Sequence, residues 1–238
     1  MQNVHLKVVL NSFQNYLNIT LKLNDKDTKV KLADSTNMEP TEHYFTEKPT
    51  SELKTKTISS TVRSHNFTFI TPSGVFSFGT IDRASLLLAE HAVIKENTTI
   101  LDLGCGWGFL GIMIKKVFPA TNVWMTDTNE RALDFAQQNA KRNNIKLTIM
   151  KSNLYNTIRE QSFDIIITNP PMKAGREICY QIIEQAKHHL NTNGTLQLVA
   201  FHKRGGAMLE KKMQEVFGNV ETIAKKSGFR VHVSVKEK

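Results

Sequence analysis

The first chemistry legible in this chain is the run Asp102-Leu103-Gly104-Cys105-Gly106-Trp107-Gly108-Phe109-Leu110-Gly111. Read from Gly106 it matches GxGxxG, in which glycines permit positive φ and close backbone approach to a ligand. The glycines do not name that ligand, but Asp102 narrows the choice. A carboxylate two residues before the first glycine would face a pyrophosphate seated on the helix N-terminus. Like charges in a partly desolvated crevice cost on the order of several kcal/mol. A cation without phosphate is favoured instead, and S-adenosylmethionine, with its ammonium and sulfonium, fits. Asp127 ends the next strand. It can accept from both ribose hydroxyls of an adenosine, or cap the helix that follows. The ribose role suits NAD and S-adenosylmethionine alike. After a third strand, Asn153 in Ser152-Asn153-Leu154 stands where a side chain can meet an adenine edge.

A second constellation closes the run FDIIIT: Asn169-Pro170-Pro171-Met172. Two prolines after a buried strand remove two backbone donors and forbid helical continuation. Such a stiff turn can present acceptors. The Asn169 side-chain oxygen and the Pro170 carbonyl can receive both hydrogens of an exocyclic amino group. The amine is thereby drawn from planarity and its lone pair turned toward a methyl donor. A stiff loop with no ligand is the alternative for NPP taken alone. No Ser-His-Asp arrangement, metal cluster or carboxylate pair competes as a catalytic centre, and the histidines show no ligand spacing.

These residues need strand ends to hold them. From residue 98 the sequence alternates: TTILDL, a helix over 109–117, NVWMTD, a helix over 129–143, KLTIM, FDIIIT, a helix over 176–190, TLQLVAF and a helix over 205–216. It closes with NVETIAKK and FRVHVSV around Ser227-Gly228. Alternating strands and helices imply parallel pairing through right-handed crossovers. FDIIIT lacks alternation, as a strand covered on both faces should. The expected fold is α/β, a doubly wound Rossmann-like sheet whose last strand is antiparallel. Upstream, residues 80–92 read as a helix and NFTFITPSGVFSF (66–78) as two short strands around Pro72-Ser73-Gly74. Val4, Leu6, Val8 and Leu10, then Leu17, Ile19, Leu21 and Leu23, alternate with period two. Residues 1–40 are therefore expected to form a small N-terminal β appendage, with the main domain over 43–238.

The motifs resemble those of class I S-adenosylmethionine-dependent methyltransferases. They are most similar to the "methyltransferase small" family, which includes ribosomal RNA small-subunit guanine-N2 methyltransferases and their shorter archaeal relatives. The resemblance runs from about His43 onward, through GVFSFGTID (74–82), DLGCGWGFLGI (102–112), NPPMKAGRE (169–177) and VFGNVETIAKKSGFRV (216–231). It implies a seven-stranded methyltransferase sheet. It also implies that Asp102, Gly104 and Gly106 hold the methionine end of S-adenosylmethionine, that Asp127 holds the ribose, and that Asn169, Pro170 and Pro171 face the target amine. Two positions depart from the family. Asn153 replaces a usual Asp, and Met172 stands where relatives often place an aromatic that stacks on the base. Stacking then falls to Phe76 or Phe78, for which core packing is an equal use.

The resulting expectation is methyl transfer to guanine, at its N2 amino group, in structured tRNA or rRNA. The charge of +9 agrees: residues 1–60 hold eight basic and seven acidic side chains, leaving +8 to the remainder. A basic domain suits a polyanion. Lys173, Arg176, Lys203, Arg204 and Arg230, with Lys225 and Lys226, are candidate phosphate contacts near strand ends, or simply solvated charges. Guanine N7, adenine N6, cytosine N4 and protein glutamine are alternative acceptors, and a non-catalytic RNA-binding protein retaining the fold is an alternative of another kind. With 40% apolar and 22% charged residues the chain is not disordered. No apolar run approaches the ~20 residues of a membrane span. Two cysteines are too few for a disulfide framework. A soluble cytoplasmic enzyme without metal is expected. The oligomeric state is not legible.

Overall fold

The computed structural model describes residues 51–237. The expected appendage of residues 1–40 lies outside them, as does the boundary drawn between 40 and 43. A hairpin comes first, β1 (Thr55–Val62) and β2 (His65–Pro72) paired antiparallel. Then follow α1 (Arg83–His91), β3 (Thr99–Leu103), α2 (Phe109–Val117), β4 (Asn122–Asp127), α3 (Glu130–Arg142) and β5 (Thr148–Lys151). The chain continues through β6 (Phe163–Thr168), α4 (Arg176–His189), β7 (Leu190–Phe201), α5 (Ala207–Phe217), β8 (Glu221–Lys226) and β9 (Phe229–Val235). None of these helices is long and apolar enough to cross a membrane.

Strands β3 to β9 form one seven-stranded sheet in the order β5-β4-β3-β6-β7-β9-β8. The five strands from β5 to β7 are parallel, and β9 runs antiparallel to both its neighbours. The last strand of the chain is thus antiparallel, as expected, and lies inside the sheet, with β8 outermost. Alternate residues of the central strands feed two cores. Ile100, Ile165 and Ile167 pack with α1, α2 and α3 on one face; Leu101, Leu103 and Ile166 pack with α4 and α5 on the other. All six are buried, each contributing about 1.5–3 kcal/mol of transfer free energy. That two-sided burial is why FDIIIT carries no alternation.

The chain moves outward from β3 through β4 to β5, then returns beside β3 and moves the other way through β6 and β7. This reversal opens a crevice beyond the carboxyl ends of β3 and β6, the place where such sheets bind ligands. Asp102 lies near one end and Asn169 follows the other.

The sequence misled in three places. The segment after Pro72 is not a strand, because Gly74, Ser77 and Gly79 all have positive φ. Instead β2 pairs with the polar run TKTISSTV, whose outward positions are threonine, serine and lysine. The helix expected from 205 begins at Ala207, after a wide turn over His202–Gly206 in which Gly205 has φ 96°.

Candidate functional site

Strand β3 ends in Asp102-Leu103, and the glycine run turns the chain into α2. Gly104, Gly106 and Gly108 have φ of 75°, 55° and 94°, a region costing other residues about 1–2 kcal/mol. Their surroundings divide the glycines by purpose. A Cβ at Gly104 or Gly106 would meet nothing within 4 Å, so the loop faces open space there. A Cβ at Gly108 would stand 2.9 Å from Ile112 and 3.2 Å from Ala136, and one at Gly111 would strike the Met125 side chain. The last two glycines serve helix packing and the first two leave room for a ligand.

Asp102 is placed differently from expectation. It does not line the crevice but lies beneath the loop, 1% exposed, with Oδ2 accepting from the Gly111 amide at 2.8 Å. Oδ1 is buried and accepts from no described residue. Burial, and secondarily the nearby Asp127 charge, push its pKa up to about 7 against the pull of the Gly111 amide. Its influence on a ligand therefore acts across the loop, as an unsatisfied negative site that a cation above would stabilise.

Asp127 lines the crevice at the end of β4. Oδ2 accepts from the Gly106 amide at 2.8 Å and Oδ1 from the Asn129 amide at 2.9 Å. Burial raises its pKa, and those backbone donors partly offset the rise. The α3 cap is Asn129, whose side chain accepts from Ala132 N at 3.0 Å. That leaves Asp127 to pin the glycine turn while lone pairs remain for hydroxyl donors. Asn153 lines the same cleft, at an exposed position.

The cleft has a volume of about 670 Å³ and reaches from these residues to the NPP turn. Asn169, Pro170, Pro171, Met172 and Lys173 all line it. The Pro170 carbonyl accepts from Met172 N at 2.8 Å, leaving its second lone pair for another donor. Met172 is half-buried, its sulfur 3.8 Å from Cys179 Sγ, and its methyl packs where a Gly205 side chain would begin.

The remaining expected residues separate. Phe76 lines the cleft and is 40% exposed. Phe78 does not line it and lies under Lys56 Nζ, 5.0 Å from the ring centroid. Arg176 also stands outside the cleft, against the Tyr180 ring. Arg230 is engaged with Glu210 at 3.5 Å. Trp107, buried among Phe69 and Phe109, donates to the Phe76 carbonyl at 3.0 Å and forms part of the wall.

Several cleft residues were missed. Phe201 and Phe229 meet edge to face at 5.1 Å and line the side opposite the glycines. Arg204, already a candidate phosphate contact from the sequence, lines the cleft and sits over Phe201 at 5.3 Å. Their signal was position: Phe201 ends β7 and Phe229 is its register partner on β9. Asp82 and Ser85, at the start of α1, both hydrogen-bond Asn169. Asp82 ends the run GVFSFGTID, but nothing local ties it to a residue 87 positions on.

Taken together, the cleft suits an adenosine-bearing cation on the glycine side and a flat amine-bearing acceptor on the NPP side. Comparison with known proteins gives the family. The chain belongs to the Methyltransferase small domain family, which matches residues 66–233. It is 36% identical over 193 residues to "Uncharacterized protein YbxB" of Bacillus subtilis, covering 80% of this chain and 96% of that one. It is 35% identical over 177 residues to "Ribosomal RNA small subunit methyltransferase C" of Haemophilus influenzae, covering 72% of this chain and 52% of that protein. Among solved structures it resembles a 16S rRNA N2 guanine methyltransferase from T. thermophilus, in complex with AdoMet and guanosine. That match has TM-score 0.67 and 25% identity, over 79% of this chain and 52% of the other. The chain thus spans about half the length of these ribosomal RNA methyltransferases.

Proposed function

We propose that the protein transfers a methyl group from S-adenosylmethionine to the N2 amino group of a guanine in structured RNA, ribosomal RNA first and transfer RNA second. The observation that carries this reading is the Asn169 amide. Both its N–H groups are satisfied by Asp82 and Ser85, so its carbonyl oxygen is the atom left for an acceptor's amino hydrogens. Family membership and the relatives' names support the same chemistry.

The residues present fit the methyl donor. Gly104 and Gly106 leave space that a side chain would fill, Asp102 Oδ1 takes no donor among the described residues, and Asp127 and Asn153 offer acceptors along one wall. When bound, S-adenosylmethionine supplies an electrophilic methyl on a sulfonium. Asn169 Oδ1 and the free lone pair of Pro170 O would accept the two amino hydrogens of the target. That arrangement withdraws the nitrogen lone pair from ring conjugation and aims it at the methyl group. Phe76 on one lip, and Phe201 with Arg204 on another, offer stacking surfaces for the base.

The test supplies methyl-labelled S-adenosylmethionine with separate pools of unmodified transfer and small-subunit ribosomal RNA, then identifies the labelled nucleoside. N2-methylguanosine is expected. Label at guanine N7, on adenine, or only on protein would overturn the acceptor assignment, and no transfer with any pool would overturn the activity.

A further inference from the structure

Among the described residues, Asn169 is held from one side. Its Nδ2 donates to Asp82 Oδ2 at 3.0 Å and to Ser85 Oγ at 2.9 Å. An amide nitrogen carries two protons, so both are used. Asp82 Oδ2 is also the atom that caps α1, accepting from the Ser85 amide at 2.9 Å. The holder is therefore fixed by the helix it starts. Were the Asn169 amide turned over, its oxygen would meet a carboxylate, acceptor against acceptor. Only one orientation keeps every bond.

We propose that Asp82, assisted by Ser85, is a positioning residue that locks the Asn169 amide with its oxygen toward the acceptor, and thereby selects amino nitrogens over ring nitrogens. This inference rests on the methyl-transfer reading above. An oxygen facing the cleft accepts from an exocyclic N–H. An NH2 group there would instead donate to a ring nitrogen lone pair and bury the electrons needed for attack. The carboxylate at residue 82 thus acts on the acceptor through the residue at 169.

Substitutions at Asp82 separate this role from capping. Serine is as good an N-cap as aspartate but too short to reach Asn169, whereas asparagine keeps an oxygen at the same distance from both partners. In Asp82→Ser, kcat for methylation of an unmodified small-subunit ribosomal RNA transcript should fall about tenfold or more. The KM for RNA and the affinity for S-adenosylhomocysteine should stay within about twofold, and Asp82→Asn should retain about a third or more of turnover. In an Asn169→Ala background, Asp82→Ser should add no further loss, because its effect passes through Asn169.

An independent readout needs no activity. The side-chain NH2 protons of Asn169, identified by their disappearance in Asn169→Ala, should be protected from solvent exchange in the parent and in Asp82→Asn, and unprotected in Asp82→Ser. Unchanged kcat in Asp82→Ser, or its full loss repeated on top of Asn169→Ala, overturns the proposal. So does unchanged proton protection. A parent protein that binds S-adenosylhomocysteine, shows the protected NH2 and methylates no RNA leaves the lock standing and overturns the methyl-transfer reading and the selectivity built on it.

Discussion

Asp127 and Gly106 are joined by a hydrogen bond of 2.8 Å between the carboxylate and the loop amide, and the same carboxylate takes the Asn129 amide. One side chain therefore fastens the glycine turn to the entrance of α3. Asp127→Ala leaves two backbone donors without acceptors, and we expect a loss of about 2–4 kcal/mol in urea unfolding. Binding of S-adenosylhomocysteine, followed by calorimetry, should weaken with it. Unfolding at the parental midpoint would mean that the turn holds its shape unaided.

The two kinds of glycine should separate in experiment. Gly104→Ala forces a Cβ into positive φ, costing about 1–2 kcal/mol, and intrudes on open space. Gly111→Ala presses on Met125 and on Asp102 and should cost about 1–3 kcal/mol. Stability losses of similar size should accompany different binding losses, with cofactor affinity dropping about tenfold more for Gly104→Ala. Equal affinities would show that the loop's open side is not the ligand side.

Asp102 gives a signed pH dependence. Its pKa rises from 3.8 to about 7 on folding, chiefly through burial. Between those values the folded chain holds a proton that the unfolded chain has released. The stability this group lends is full below about pH 4, falls as pH rises, and is gone above about pH 7. Asp127 is raised in the same direction, so the contribution is read as the difference from Asp102→Asn, in which this part of the slope vanishes. A cation on the loop favours the charged carboxylate. Affinity for S-adenosylhomocysteine, whose ammonium remains, should therefore climb toward pH 7 by at most about tenfold per unit and then level. Affinity independent of pH from 5 to 8 would sink the coupling.

Asn139 is a buried amide with every polar atom engaged. Oδ1 accepts from Ile70 N at 2.7 Å, and Nδ2 donates to the Ile70 and Trp107 carbonyls, each at 2.9 Å. It ties the β1–β2 hairpin and the glycine turn to α3. Asn139→Leu strands three backbone groups and should cost about 3 kcal/mol or more. Hydrogen exchange at the Ile70 amide should accelerate in the same variant. Intact protection at Ile70 would show that the hairpin docks by other contacts.

What the sequence revealed followed from how local each signal is. FDIIIT and NVWMTD were read with their observed limits because burial on both faces and flanking turns are written in consecutive residues. The glycine run and NPP were legible for the same reason. TKTISSTV escaped because an exposed hairpin strand needs no apolar pattern, and VFSF deceived because alternating rings imitate a strand that the positive φ at Ser77 forbids. Asp102 is legible as chemically important while its burial beneath the loop is not, since a motif gives spacing and not depth. The partners of Asn169 and of Asn139 were invisible: each bond joins residues more than thirty positions apart.

Trp107 is wedged between the aromatic core and the cleft wall, tethered to the lip through Phe76, while Trp124, the other tryptophan of the chain, packs against Phe163 in the opposite core. The molecule therefore carries its own optical probe. Emission from Trp107 should respond when the pocket fills and that from Trp124 should not, so occupancy can be titrated without a label, with Trp107→Phe as the silent control.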